Sequence, residues 1–416
     1  QPRANTDPFF NGCTPDNPGP FVFFATNVPD AADRQQISYF AEFSLPVLDT
    51  LNFQAAVRRE EFSGNLAATV YKVSGNWDVW GPISIRGSYG TNYQTPPLGI
   101  TPGRSTNGTT SYTVANGNWR GSNTVTAADL SPETATASNI GVIWQSQGFA
   151  GDHDFRLIVD YFNIETKDEI GTLANFNQIA NSIFTGPAVG GFATANCSHP
   201  LIRRVTFSDT PTSPGGTCVQ GQTNADNFSV ISTVQGNAFG QTTAGYDIQA
   251  QYSLPLGGGD LILDATATRM TELMTSARVL DGFVVSVADD RLGYSNFAAA
   301  NAAAPKWRAT AYAAYKMDKH SVRLQFNYVS GVVDERGPFT PAGSTVGASR
   351  FGVDGKDWFS QDLYYNFDLS DTMRLSASIV NLLDRKPPFA RQELAYDPLV
   401  GSPLGRTFEV SVKKTF

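Results

Sequence analysis

Period-two alternation, repeated in run after run of about ten residues, constrains this chain more than any other feature. The last run shows it plainly. Phe408, Val410 and Val412 fall on one face, Glu409, Ser411 and Lys413 on the other, and Phe416 follows. Earlier runs repeat it: Leu51, Phe53, Ala55 and Val57 oppose Asn52, Gln54, Arg58 and Glu60. Trp307, Ala309, Ala311, Ala313 and Tyr315 oppose Arg308, Thr310 and Lys316; Val322, Leu324, Phe326 and Tyr328 oppose Arg323, Gln325 and Asn327. We count about thirteen such strands and no stretch with helical period. The fold expected is all-β.

The links between runs alternate in kind. Short turns fall near 46–50, 75–81, 147–151, 255–259, 317–319 and 369–371. Long loops fall near 91–133, 165–240, 272–305, 331–356 and 382–404, and the short link at 63–65 is the exception. A soluble β-sandwich has no reason to sort short and long links to opposite strand ends. An outer-membrane barrel does, with short periplasmic turns and long extracellular loops. Charged residues sit at mid-strand on the polar face: Glu42, Arg58, Glu60, Arg156, Asp160, Arg308, Arg323, Asp362, Arg374 and Glu409. Aromatics such as Trp307, Tyr315 and Tyr328 lie near strand ends, where interfacial girdles lie. The reading is a transmembrane antiparallel β-barrel in outer-membrane lipid.

Composition narrows the partners. No apolar run reaches about 18 residues, which excludes membrane-spanning helices and leaves a barrel open. The net charge of -8 argues against nucleic acid. Of three cysteines, Cys197 and Cys218 share one polar segment, so a local disulfide in an oxidising compartment is expected; three unpaired thiols is the alternative. Cys13 is left over. No catalytic motif is present, and no cofactor is expected. His153 and His320 read as solvated polar residues. Asp289-Asp290 and Asp354-Gly355-Lys356-Asp357 lack the count and spacing of a calcium loop, so no metal site is expected.

Several short stretches resemble the TonB-dependent outer-membrane receptors. Asn381-Leu382-Leu383-Asp384-Arg385 is similar to the family's Asn-Leu-Leu/Phe-Asp element after the penultimate strand. Gly405-Arg406-Thr407-Phe408, closing on Phe416, resembles the C-terminal strand read by the barrel-insertion machinery. Leu130-Ser131-Pro132-Glu133 is similar to the Leu-x-Pro-Glu element. Ser88-Tyr89-Gly90-Thr91-Asn92-Tyr93-Gln94-Thr95-Pro96 matches Ser-x-Gly-Phe-Arg-Ala-Pro in part, since Tyr93-Gln94-Thr95 stands for Phe-Arg-Ala.

The resemblance implies about 22 strands around an N-terminal plug. About thirteen strands and no plug-like segment make this chain the C-terminal part of such a barrel. Strand parity then places residues 1–34 in an extracellular loop, with the strands in 35–416. The plug and first strands would be a separate partner, nicked off or outside this sequence, with Cys13 a candidate link to it. The implied function is uptake of a bulky scarce nutrient (an iron chelate, cobalamin or oligosaccharide) energised by the TonB complex through that partner. A passive porin or a surface adhesin is the alternative. Substrate contacts would fall to the loops, with Tyr112, Trp119, Arg120, Arg203 and Arg204 as candidates, because aromatic faces suit rings and arginines suit carboxylates.

Overall fold

The computed structural model describes residues 33–63, 66–148, 150–295, 303–334, 354–391 and 394–415. Cys13, Phe416 and nearly all of the 1–34 segment lie outside the described residues, as does the middle of the 331–356 loop.

The main strands are β1 Gln36–Leu48, β2 Leu51–Phe62, β3 Leu66–Trp80, β4 Ile83–Gln94, β5 Glu133–Ser146, β6 Asp154–Thr172 and β7 Phe228–Leu256. They continue as β8 Gly259–Thr275, β9 Trp307–Met317, β10 His320–Val329, β11 Trp358–Ser370, β12 Met373–Val380 and β13 Thr407–Lys414. Each pairs antiparallel with the next, so twelve pairings join thirteen staves in chain order. Among the described residues β1 and β13 do not pair with each other. Both are exposed along their whole length.

Register keeps the two faces apart. Tyr252 of β7 faces Leu263 of β8, which faces Ala313 of β9, which faces Leu324 of β10. The intervening row runs Gln251, Asp264, Tyr312 and Gln325. The outer face is thus apolar and the inner face polar, as the alternation predicts. Gly257 and Gly258 both take positive φ (58° and 86°) and make the two-residue β7–β8 turn, a backbone that a Cβ would strain.

The loops depart from expectation. The expected strand at 241–254 runs from 228 to 256, and that at 153–164 runs on to 172. Register shifts at Asn237/Phe239 and Phe239/Gln241 break the alternation there, which hides the extension from a period-two reading. A helix, Phe176–Ile183, corrects the expectation of no helical segment. It has only two turns, and Ile179, Ala180 and Ile183, with Phe176 packed beside them, make its apolar face. Asn175 and Gln178 form a capping box that satisfies donors of its first turn. The 91–133 loop contains a polar hairpin, Ser105–Ser111 with Trp119–Thr126. That second strand also pairs in parallel with the start of β7, Gly121 against Val230.

These loop elements share an apolar core. Tyr112, Ile179, Ile183, Leu201, Phe228, Ile231 and Leu280 are its fully buried large side chains. Burying each stabilises by roughly 1.5–3 kcal/mol. The polar 165–240 segment is therefore a packed cap on the long-loop end, built from a few apolar residues at wide spacing.

Candidate functional site

Three loops meet in the cap, and specific bonds fix them to one another. Cys197 and Cys218 form a disulfide with their Cα atoms 5.7 Å apart, as the sequence led us to expect. It closes a separation of 21 residues, which stabilises by about 3 kcal/mol for loops of this size. His199 precedes the 3-10 turn Pro200–Arg204, and its Nδ1 accepts from the Leu201 N–H at 3.2 Å. Its ring packs edge-on against Phe283, centroids 4.5 Å apart, and burial pushes its pKa down.

Asp281 joins the 165–240 segment to the hairpin formed by 278–280 and 283–286. It sits at the hairpin turn with φ 53°. Its carboxylate takes Arg204 through Nε and Nη2, each at 2.7 Å, and Arg203 through Nε at 2.9 Å. The hydrogen bond from Arg204 leads in holding this carboxyl far below the usual range; burial opposes it and Arg203 assists. Leu280, one residue earlier, is buried in the cap core. The two arginines thus carry part of the cap's own structure, though the Arg203 side chain is 65% exposed.

The other candidates form a second set. Tyr112 is fully buried, packs edge-on against Phe228 at 4.9 Å and donates to the Gly121 carbonyl at 3.0 Å. Burial pushes its phenol far above the ordinary range. Arg120 bonds Asp226 at 2.7 Å. Trp119 opens its strand and is 60% exposed. Only Trp119 and Arg203 of the five present much side chain to solvent. A separate concavity lies at the long-loop end of β10 and β11. There Arg391 bonds Asp334 at 2.8 Å near Phe389, Val400 and Asp397.

One inner-face pair escaped the sequence reading. Arg86 of β4 grips Asp160 of β6 through Nε (2.8 Å) and Nη2 (2.5 Å), passing over Gly141 of β5. Arg86 carried no motif, and its partner is 74 residues away. Neither histidine read as solvated is free: His153 bonds Tyr252 and His320 bonds Tyr365. Among the described residues no cluster of three or more His, Cys, Asp or Glu is placed to hold a metal ion. The arrangement is that of a polar inner wall under a stapled cap, suited to binding.

The family described as TonB dependent receptor-like, beta-barrel, matches residues 2–382. The chain belongs to that family. Solved structures agree on the fold. The siderophore receptor PirA from Acinetobacter baumannii superposes with TM-score 0.59 at 14% identity, over 92% of this chain and 46% of that one. The ferric enterobactin receptor PfeA from Pseudomonas aeruginosa gives 0.57 at 15%, over 92% and 45%. The FrpB iron transporter from Neisseria meningitidis gives 0.54 at 14%, over 92% and 45%. The chain spans less than half the length of these receptors. No curated protein matches it.

The TonB-dependent receptor motifs have structural work here. Asn381 follows β12 with φ 54° and is buried; its N–H donates to Asp362 at 2.8 Å, and its amide oxygen accepts from the Arg385 N–H at 2.8 Å. Asp384 accepts from the Arg406 N–H at 2.9 Å, tying the 382–404 loop shut before β13. A Cβ on Gly405 would stand 2.7 Å from that carboxylate, so only glycine fits without a shift. Glu133, after Pro132, accepts from the Ile170 N–H at 2.8 Å beside the irregular β6–β7 pairing. Phe408 lies on the outer face and is exposed.

Proposed function

We propose that this chain is the C-terminal part of a receptor that takes up an iron chelate across the outer membrane, energised by the TonB complex. The observation that carries this is family membership over residues 2–382, joined to solved receptors named for siderophores, ferric enterobactin or iron. Barrels of this family are outer-membrane proteins, and its members are transporters.

The remainder of the receptor is the partner. A barrel of about 22 strands less thirteen leaves about nine, together with the plug. The edges of β1 and β13 support this, because unpaired backbone in lipid costs several kcal/mol per group. The short turns face the periplasm and the cap faces outward. The TonB contact belongs to the plug-bearing portion, and the insertion machinery takes β13. Of the five candidates, Trp119 and Arg203 are the best exposed to meet a ligand, with Arg120, Arg204 and Tyr112 behind them.

The test is growth of a strain lacking the receptor gene on single ferric chelates as iron source. Restored growth on one chelate by the whole gene, dependent on TonB, is the expected result. Growth independent of TonB, or dependent only on cobalamin or a sugar, would overturn the reading. Intact-mass measurement and N-terminal sequencing of the purified receptor test the partner.

A further inference from the structure

Two hairpins at the short-turn end carry the same pair of side chains. His153, in the β5–β6 turn, shares a hydrogen bond through Nδ1 with the Tyr252 hydroxyl of β7 at 2.5 Å. His320, the first residue of β10, shares one through Nδ1 with the Tyr365 hydroxyl of β11 at 2.7 Å. The register is also shared. His320 stands opposite Phe367, so Tyr365 is its diagonal neighbour, two residues deeper. Asp154 stands opposite Ser253, which makes Tyr252 the diagonal neighbour of His153. Diagonal pairs at this spacing are within reach of aromatic side chains.

Both pairs lie on the outer face. His320 shares its face with Val322, Leu324 and Phe326, and its ring stacks on Phe367 with centroids 4.7 Å apart. A ring bonded through Nδ1 directs Nε2 to its opposite side, away from the tyrosine. Lys319 is next in sequence, and both Lys319 and His320 are exposed. Of the nearby acids, Asp318 lies in the same turn, whereas Asp368 is bonded by Arg374 at 2.5 Å on the inner face.

We propose that Lys319, His320 and Tyr365 form a site for the phosphate of an anionic phospholipid headgroup in the periplasmic leaflet. The site rests on the proposed orientation of the short turns. Three features favour this occupant. The residues stand at the border of the apolar outer face, where headgroups lie. They offer an ammonium and a ring N–H, donors suited to phosphate oxygens. The Phe367 ring fixes the imidazole plane. His153 provides the contrast, because Asp152 and Asp154 flank it and no lysine adjoins it.

Native mass spectrometry of the full receptor, purified from outer membranes, tests the site with added phosphatidylglycerol or phosphatidylcholine. Preferential retention of phosphatidylglycerol is expected, with about a tenfold loss in the Lys319→Gln/His320→Gln double variant and none in His153→Gln. Equal retention by the double variant, or equal loss in His153→Gln, would overturn it. Labelling of an Asp318→Cys variant in a Cys13→Ser background, in intact cells and by an impermeant maleimide, tests the orientation separately. Labelling from outside would overturn orientation and site together. No labelling, with lipid retention unchanged in the double variant, would overturn the site alone.

Discussion

Arg86 and Asp160 form a two-pronged ion pair across an entire intervening strand, and Gly141 is what lets them meet. A Cβ on Gly141 would stand 1.9 Å from Asp160 Oδ1. The Gly141→Ala variant must displace the carboxylate and open the pair. Because Arg86 is partly exposed, the expected cost is modest, about 1–2 kcal/mol. Asp160→Asn should cost about as much. The double variant should cost less than the two singles together, since both remove one interaction. Urea unfolding of the receptor in lipid, followed by tryptophan fluorescence, reads all three; strict additivity would refute the coupling.

Asp281 holds the cap together from the hairpin side. Asp281→Asn should leave heat-modifiable gel migration of the barrel unchanged. It should speed amide exchange in 278–286 and 200–207 by about an order of magnitude. The bond also sets a pH dependence. The carboxyl is held well below its unfolded value, so its stabilisation is fully present above about pH 4 and is lost as pH falls through the folded value. The contribution of Asp281 to cap protection should therefore stay level from pH 7 to about 4 and then fall, with that fall shifted or abolished in Asp281→Asn.

The barrel was legible because its signal is local and repeated. Trp307 to Tyr315 and Val322 to Tyr328 show their faces within one strand, and the turn at Asp318 is short. The cap was not legible because its contacts are distant and singular. Nothing near Arg204 announces Asp281, 77 residues on. The helix at 176–183 gives only two turns of pattern, and bulges around Phe239 erase the alternation midway along β7. Cys197 and Cys218 were the exception, since cysteine pairing needs only proximity in a compact loop. Tyr112 looked like a binding residue by composition, but its burial against Phe228 depends on the β7 extension that the pattern concealed.

His199 should make the same cap sensitive to milder acid. Burial lowers its pKa in the folded state, and the Leu201 N–H needs Nδ1 unprotonated. The unfolded segment therefore binds a proton more readily, and stability falls as pH drops below about 6.5 until the folded value is passed. Protection factors at 199–207, taken relative to the intrinsic exchange rate at each pH, should fall from pH 7 to 5. His199→Asn keeps a side-chain acceptor without titrating there, and its protection factors should lose that pH dependence. An unchanged slope in the variant would assign the effect to another group.

Trp119 and Tyr112 separate recognition from packing within one hairpin. Trp119 is exposed at the start of its strand, whereas Tyr112 is fully buried and bonded to Gly121. Trp119→Ala should weaken binding of the ferric chelate about tenfold, the effect of losing one aromatic contact surface. Tyr112→Phe keeps the ring against Phe228 and removes only the hydroxyl bond. It should destabilise the cap by about 1 kcal/mol or somewhat more and leave the affinity of the folded receptor unchanged. Equilibrium titration of purified receptor, alongside exchange at 112–126, distinguishes the two. A large affinity loss in Tyr112→Phe with cap protection intact would move the ligand into the interior and displace Trp119 from its role.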